Sequence, residues 1–201
     1  MVNKINIEEI EFPEEWLELQ NYHFKLLAIT TILADEKKAF RGTINDLCDF
    51  LEIGHSSGNK SKIKGCLEVL AESEQIKLIV DKDIYTVSLS KAIEKSKKVT
   101  KIKKVWYKLI KEQCKASSCS WESALKVFLV LYDLSQTEVW SYKEIGQRVG
   151  LGKSTVSSCV NTLKKITFDD FSFVSTEVKE KINEGEYRTK GQTYTKIMKF
   201  E

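Results

Sequence analysis

The sequence predicts a mainly α-helical protein with small β-hairpins, built as two similar domains joined by a long basic helix. Apolar side chains recur at helical spacing through most of the 201 residues, and only one proline interrupts them. The β-rich runs IKLIV and IYTVSL flank the polar turn DKD, which is the pattern of a hairpin. Because three helices followed by a β-rich region occur twice, we expect two domains of one architecture.

Four segments follow from this organisation. Residues 1–22 form an acidic N-terminal arm, which holds one lysine against six glutamates. The first domain spans 23–90, a basic linker helix spans 91–118, and the second domain spans 119–201. Such an uneven distribution of charge predicts a local contact with a polyanion.

The linker carries ten lysines against two glutamates over residues 91–115. On one continuous helix, the lysines at 97, 101, 104, 108, 111 and 115 would line a single face. That face would contact nucleic-acid phosphates, hold the acidic arm of the same or another subunit, or simply be solvated. The candidate phosphate contacts within it are Lys101, Lys104 and Lys108.

Several features of the sequence indicate a cytoplasmic protein without metal, cofactor or catalytic site. The five cysteines are odd in number and lack C-x-x-C spacing, so we expect reduced thiols rather than a disulfide framework. The N-terminus lacks the features of a signal peptide, and no apolar run is long enough for a membrane span. The two histidines have no metal-ligand spacing, and no catalytic arrangement is apparent. We therefore expect no metal, no cofactor and no enzymatic activity.

The stretch GLGKST at 150–155 resembles the end of a phosphate-binding loop. That loop requires a glycine five residues before Gly152, where this chain has Gln147. A strand should also precede the loop, whereas SYKEIGQRV has helical spacing, with Ser141 and Glu144 placed as a capping box. A nucleotide site is therefore not expected.

The same stretch fits a helix, a tight turn and a second helix. Gly146 is small where the two helices would approach each other, and Gly150 would end the first helix at positive φ. In the second helix, the spacing i, i+3, i+4 and i+7 predicts a buried stripe of Val156, Cys159, Val160 and Leu163. The other face would be polar or basic without any acidic residue: Lys153, Ser154, Thr155, Ser157, Ser158, Asn161, Thr162 and Lys164.

An earlier segment aligns with this one. DLCDFLEIG at 46–54 matches EIGQRVGLG, and KSKIKGCLEVL at 60–70 matches KSTVSSCVNTL. The segment HSSGN at 55–59 would be an insertion in the first copy's turn. Its candidate nucleic-acid contacts are Asn59, Lys60, Ser61, Lys62 and Lys64, although Glu68 and Glu72 on the same helix would oppose DNA binding.

Through EIGQRVGLGKSTVSSCVNTL, the chain resembles winged helix-turn-helix DNA-binding domains. The resemblance implies a recognition helix in the major groove and a wing on the phosphate backbone or the minor groove, with Arg188 and Lys190 of RTKGQ at the wing tip. Two such domains in tandem are also similar to plasmid and phage replication initiators of low-GC bacteria. The resemblance implies double-stranded DNA binding by a transcription regulator. A replication initiator and a protein-interaction scaffold are the alternatives.

Overall fold

The computed structural model describes residues 9–34, 38–134, 138–168, 171–183 and 186–198, with the backbone alone at 181–183, 186–188 and 196–198. The chain divides into two compact units, Met1–Lys104 and Val105–Glu201.

The first unit is built from short helices and two small antiparallel sheets. Strand order is β2-β4-β3 in one sheet, and β1 pairs with β5 in the other. The elements are β1 (Glu9–Pro13), a 3-10 helix (Glu14–Glu18), α1 (Asn21–Leu33), β2 (Ala39–Gly42), α2 (Ile44–Leu51), α3 (Ser57–Glu72), β3 (Lys77–Asp81), β4 (Ile84–Ser88), α4 (Ser90–Lys95) and β5 (Val99–Lys103).

The second unit begins with helix α5 (Lys104–Lys115), whose first residue, Lys104, is the last residue of the first unit. Its single sheet has the antiparallel order β6-β8-β7. The elements are α6 (Trp121–Asp133), β6 (Val139–Trp140), α7 (Tyr142–Val149), α8 (Lys153–Leu163), β7 (Phe171–Asn183) and β8 (Glu186–Met198).

The two units repeat one order of elements. In the first unit the order is α1, β2, α2, α3, β3, β4, and in the second it is α6, β6, α7, α8, β7, β8. In both sheets the short strand pairs with the last strand of the hairpin. The predicted repetition of three helices and a hairpin is confirmed, and the short strand after the first helix is an element that the sequence analysis missed.

The predicted mainly α-helical class is wrong. The described residues form eight strands in three sheets alongside eight α-helices, which makes the protein mixed α/β. The second hairpin is not a small wing, because β7 and β8 each contain 13 residues. Its base belongs to the core: Phe171 and Phe173 are buried and pack against Phe168 and Phe128.

The predicted linker helix over 91–118 is also wrong, because α4, β5 and α5 share this range. In β5, Thr100 and Ile102 are buried and Lys101 is exposed, so the period is two residues rather than 3.6. The strand pairs with β1 from the acidic arm, which sets Glu11 opposite Lys101. The arm from Glu9 onward is thus part of the first unit, and residues 1–8 lie outside the described range.

Three local contacts define the two ends of helix α7 and the turn that joins it to α8. Ser141 and Glu144 form the predicted capping box at the start of α7. Gly150 ends the helix at φ 67°. The backbone N–H of Leu151 then donates to the carbonyl oxygen of Gly146 over 2.8 Å. The connection between the two helices is three residues long, from Gly150 to Gly152.

The first unit repeats these features with other side chains. Thr43 and Asp46 form the capping box of α2, and Glu52 ends the helix at φ 57°. The N–H of Ile53 donates to the carbonyl oxygen of Cys48 over 3.0 Å. The aligned segments therefore share backbone geometry as well as apolar spacing.

The predicted close approach at Gly146 is confirmed. A Cβ atom there would lie 2.3 Å from the carbonyl oxygen of Leu151 and 3.5 Å from a methyl group of Val156. The first distance is the critical one, because a backbone oxygen in a tight turn cannot move aside. Any side chain at this position would therefore require the turn to shift.

We expect Gly146→Ala to destabilise the protein by about 2 kcal/mol or more, because the added methyl group would force the turn open. Urea denaturation of both proteins measures the difference. The matched control is Gly65→Ala within α3, where a Cβ atom meets nothing within 4 Å. Alanine favours the helix at that position, so the control should be neutral or stabilising by up to ~1 kcal/mol. Equal stability of the Gly146 variant and the wild type would contradict this account of the turn.

Candidate nucleic-acid interface

Helix α8 has the orientation that its apolar spacing predicts. Val156, Cys159 and Leu163 are completely buried, and Val160 is 1% exposed. This stripe packs against α6 and α7. The opposite side of the helix is left to face outward.

The outward side is narrower than the sequence predicts. Lys153, Ser154 and Asn161 are exposed, whereas Thr155, Ser157, Ser158 and Lys164 are half-buried. Lys165, which follows the helix, is also exposed and was not predicted as a contact. All of these side chains are polar or basic.

Two polar side chains of α8, one in its middle and one in its last turn, form hydrogen bonds within the protein. Thr162 is buried, contrary to prediction, and its hydroxyl donates to the carbonyl oxygen of Ser158 over 2.9 Å. The hydroxyl of Ser158 lies 3.2 Å from that of Ser118, in the loop after α5. The free surface therefore concentrates at the two ends of the helix.

The N-terminus of α8 is open and positive. The helix begins at Lys153, with Gly152 as its N-cap. Glycine offers no side chain to accept from the first backbone N–H groups, and the first turn contains no acidic residue. Such a helix end favours an anionic ligand through its N–H groups and its dipole.

Behind the turn lies a lysine that the sequence analysis missed. Lys126 on α6 is completely buried, and its Nζ donates to the carbonyl oxygen of Val149 over 3.1 Å, at the end of α7. Burial lowers the pKa of Lys126 to about 8, because a charged ammonium loses its hydration there. The only sequence signal for it is a lysine inside the apolar run ALKVFLVLY.

A contact between two thiols joins the buried side of α8 to the loop before α6. The Sγ atoms of Cys119 and Cys159 lie 2.6 Å apart, which ties the start of α6 to the buried side of α8. The hydrogen bond with Cys119, together with burial, raises the pKa of Cys159. Both cysteines are free thiols, as the sequence analysis expected.

The hairpin places its candidate residues away from the predicted tip. Strands β7 and β8 continue to Asn183 and Glu186, so Arg188 and Lys190 lie within β8. The backbone of Arg188 is opposite Glu180, while the Arg188 side chain is outside the described part of the chain. Lys190 is exposed at an irregularity in the strand pairing, where such residues project outward.

Lys190 on β8 is close enough to the start of α7 to affect the pKa of Glu144. Hydrogen bonds within the capping box with Ser141 lower the pKa of Glu144, and the nearby charge of Lys190 lowers it further. Lys190 therefore adds positive potential beside the helix pair.

In the first unit, α3 presents a weaker version of this surface. Ser61, Lys62 and Lys64 are exposed and Lys60 is half-buried. The helix starts at Ser57, so the segment HSSGN is not wholly a loop as predicted. Glu68 and Glu72 are exposed farther along the helix, which reduces the positive potential of α3 relative to that of α8.

Two candidate residues on α3 already have partners. The amide of Asn59 donates to the carbonyl oxygen of Gly54 over 2.8 Å, and its backbone N–H donates to the N-cap Ser56. Asn59 is therefore a residue of the turn rather than a free base contact. The Nζ of Lys62 lies 4.0 Å from the centre of the Tyr22 ring.

Of the lysines predicted to line one helix face, only those on α5 lie on a common helix. Lys101 lies on β5, where its Nζ is 3.0 Å from a carboxylate oxygen of Glu11. Burial alone would raise the pKa of Glu11, but hydrogen bonds from Lys38 and Lys101 lower it below its ordinary value. Lys101 is therefore paired with Glu11 of the acidic arm, while Lys104 is half-buried and Lys108 is exposed on α5.

Comparison with known proteins gives no match. No family model matches the sequence, and no curated protein is similar to it. Within the described ranges, no group of three or more histidine, cysteine, aspartate or glutamate side chains is placed to hold a metal ion. None of the helices described is long and apolar enough to cross a membrane. The surface of α8 is thus the feature from which a function has to be inferred.

We expect the wild type to become more stable relative to Lys126→Met as the pH rises from about 8 to about 10.5. The folded pKa of Lys126 is about 8, against 10.5 when the lysine is free, so the unfolded chain binds more protons throughout this range. The free energy of unfolding therefore rises with pH, by up to about 3 kcal/mol across the range.

Chemical denaturation of both proteins at several pH values provides the test. Tyrosines and other lysines titrate in both proteins, so their effects cancel in the difference. A difference that stays constant with pH would show that Lys126 is not strongly desolvated in the folded protein.

Proposed function

We propose that this protein binds double-stranded DNA in a sequence-directed manner, as a tandem winged helix-turn-helix protein with α8 as its recognition helix. The observation that carries the proposal is the outward face of α8, which is polar or basic from Lys153 to Lys165 and contains no acidic residue. A helix fits the major groove, where base edges present donors and acceptors to such side chains.

Phosphate contacts and base contacts would have separate positions on this face. Lys153 and the open N-terminus of α8 are suited to a phosphate group. Asn161 lies two helical turns farther along the same face, and an asparagine amide can make a bidentate contact with adenine. Lys190 on β8 would add a phosphate contact from the hairpin.

The repeated order of elements supports a second, weaker DNA-binding surface in the first unit. Its contacts would be Ser61, Lys62 and Lys64 near the start of α3, away from Glu68 and Glu72. As a cytoplasmic protein, the chain would most simply serve as a transcription regulator. The tandem arrangement favours a second candidate, a replication initiator that binds repeated origin sequences.

We expect the protein to bind random-sequence duplex DNA with steep salt dependence, and Lys153→Ala to reduce the slope of log K against log salt by about 1. Fluorescence anisotropy at several salt concentrations between about 50 and about 200 mM measures this slope. The control is Lys91→Ala, which removes the same charge from α4, where Lys91 lies 3.7 Å from Glu74. This control should keep the slope of the wild type.

Absence of binding at the lowest salt concentration would reject the proposal and favour a protein-interaction scaffold. An equal loss of slope in both variants would mean that general charge, rather than α8, attracts the DNA.

Sequence-directed binding requires its own measurement. After selection of bound duplexes from a random pool, Asn161→Ala should weaken binding of the selected site by about 1–3 kcal/mol and leave binding of random DNA unchanged. The melting temperature should barely change, because Asn161 is exposed. Equal losses on both DNAs would exclude Asn161 as a base contact.

Mapping of bound sites in the host genome then separates the two uses. Sites at promoters indicate regulation, whereas iterated sites beside the protein's own gene indicate replication.

A further inference from the structure

Strand β3 is an uncovered, apolar edge of the first unit's sheet. The strand order β2-β4-β3 leaves one side of β3 without a neighbour in that sheet. Ile79 is 52% exposed and Val80 is 50% exposed, which puts both among the few large apolar side chains exposed to this extent. Open apolar edges promote pairing with another chain, so proteins normally blunt or cover them.

The backbone of β3 has hydrogen-bonding groups that point away from the sheet. Asp81 and Ile84 are partners on either side of a two-residue turn. In such a hairpin the residues that flank the turn exchange both hydrogen bonds, and the pattern alternates along the strand. The N–H and C=O groups of Leu78 and Val80 therefore face outward from the edge.

We propose that β3 of one copy pairs antiparallel with β3 of a second copy, about a two-fold axis that passes between the two Ile79 residues. In this register Leu78 lies opposite Val80 of the partner subunit, and the two residues exchange both hydrogen bonds. The symmetric pair makes two more hydrogen bonds. The result is one continuous sheet of the order β2-β4-β3-β3-β4-β2.

The charges of the strand select this register. Lys77 would lie opposite Asp81 of the partner subunit, and the symmetric pair would form at the other end of the interface. Opposite charges that face each other across two strands stabilise the pairing, whereas like charges destabilise it. A shift of the register by two residues in one direction would place Ile79 opposite Lys77 of the partner subunit. A shift by two residues in the other direction would place Ile79 opposite Asp81 of the partner subunit. The sequence KLIVD is thus complementary to itself when reversed.

Side-chain alternation supports the same pairing. Lys77, Ile79 and Asp81 share the outer face of the sheet, so the two Ile79 side chains would cover each other between the two ion pairs. Leu78 and Val80 lie on the inner face, where their partners on β4, Val87 and Tyr85, are buried. Pairing would therefore extend the existing core face of the sheet.

The test is the mass of the full chain in solution without DNA, so its outcome is independent of the proposed function. Sedimentation at micromolar concentrations should give twice the 23.1 kDa of one chain. Ile79→Lys should yield monomers, because two lysines would meet at the axis. The control is Val69→Lys on α3, where the valine is 49% exposed away from the edge, and it should leave the dimer intact.

Charge exchange provides the sharper test. Lys77→Asp and Asp81→Lys should each weaken the dimer when alone, because like charges would then face each other at both ends. An equimolar mixture of the two variants should restore the dimer as a heterodimer, since every charged pair becomes opposite again. A monomeric wild type, or a dimer that withstands Ile79→Lys, would overturn the proposal. Failure of the mixture to recover the dimer would overturn the register.

Discussion

The second unit depends on the close approach of two backbone segments at Gly146. The carbonyl oxygen of Gly146 accepts from the N–H of Leu151, and the Leu151 carbonyl occupies the space that a side chain at 146 would need. This contact closes the turn in three residues and sets the angle at which α8 leaves α7. The buried stripe on α8 packs against both α6 and α7, so the close approach at Gly146 helps to determine which side of α8 faces outward.

The first unit reaches similar geometry under a weaker constraint. Cys48 occupies the position that Gly146 has in the second unit, and the connection after the helix, from Glu52 to Ser56, is longer than the one from Gly150 to Gly152. Glu52 adopts the left-handed conformation that Gly150 adopts in the second unit. This conformation is strained for a non-glycine residue, and the hydrogen bonds from the N–H of Glu52 to the Asp49 carbonyl and from the N–H of Ile53 to the Cys48 carbonyl hold it in place. Both turns end the first helix with a left-handed residue and a hydrogen bond to the carbonyl five residues back, although their side chains and lengths differ.

Sequence patterns predicted the features that depend on local spacing. The buried stripe from Val156 to Leu163, the capping box at Ser141 and the left-handed end at Gly150 each follow from a few adjacent residues, and each is present. Features that depend on distant partners were missed. The run VTKIK fits both a helix and a strand, and only its pairing with β1 from the acidic arm makes it a strand. The position of Lys126 under the end of α7 likewise depends on the packing of two helices that no local pattern relates.

The pairing of β1 with β5 sets a condition on synthesis of the chain. Glu9 and Lys103 are partners at one end of this two-stranded sheet. Strand β1 therefore cannot pair until β5, the last strand of its unit, has been synthesised. At the usual rate of translation the intervening residues require roughly 5–20 s. During that time the core beneath β1, including Phe12 against Trp16 and Phe24, lacks the outer strand that completes its sheet. The two-stranded sheet of the first unit therefore forms only after nearly the whole unit has been synthesised.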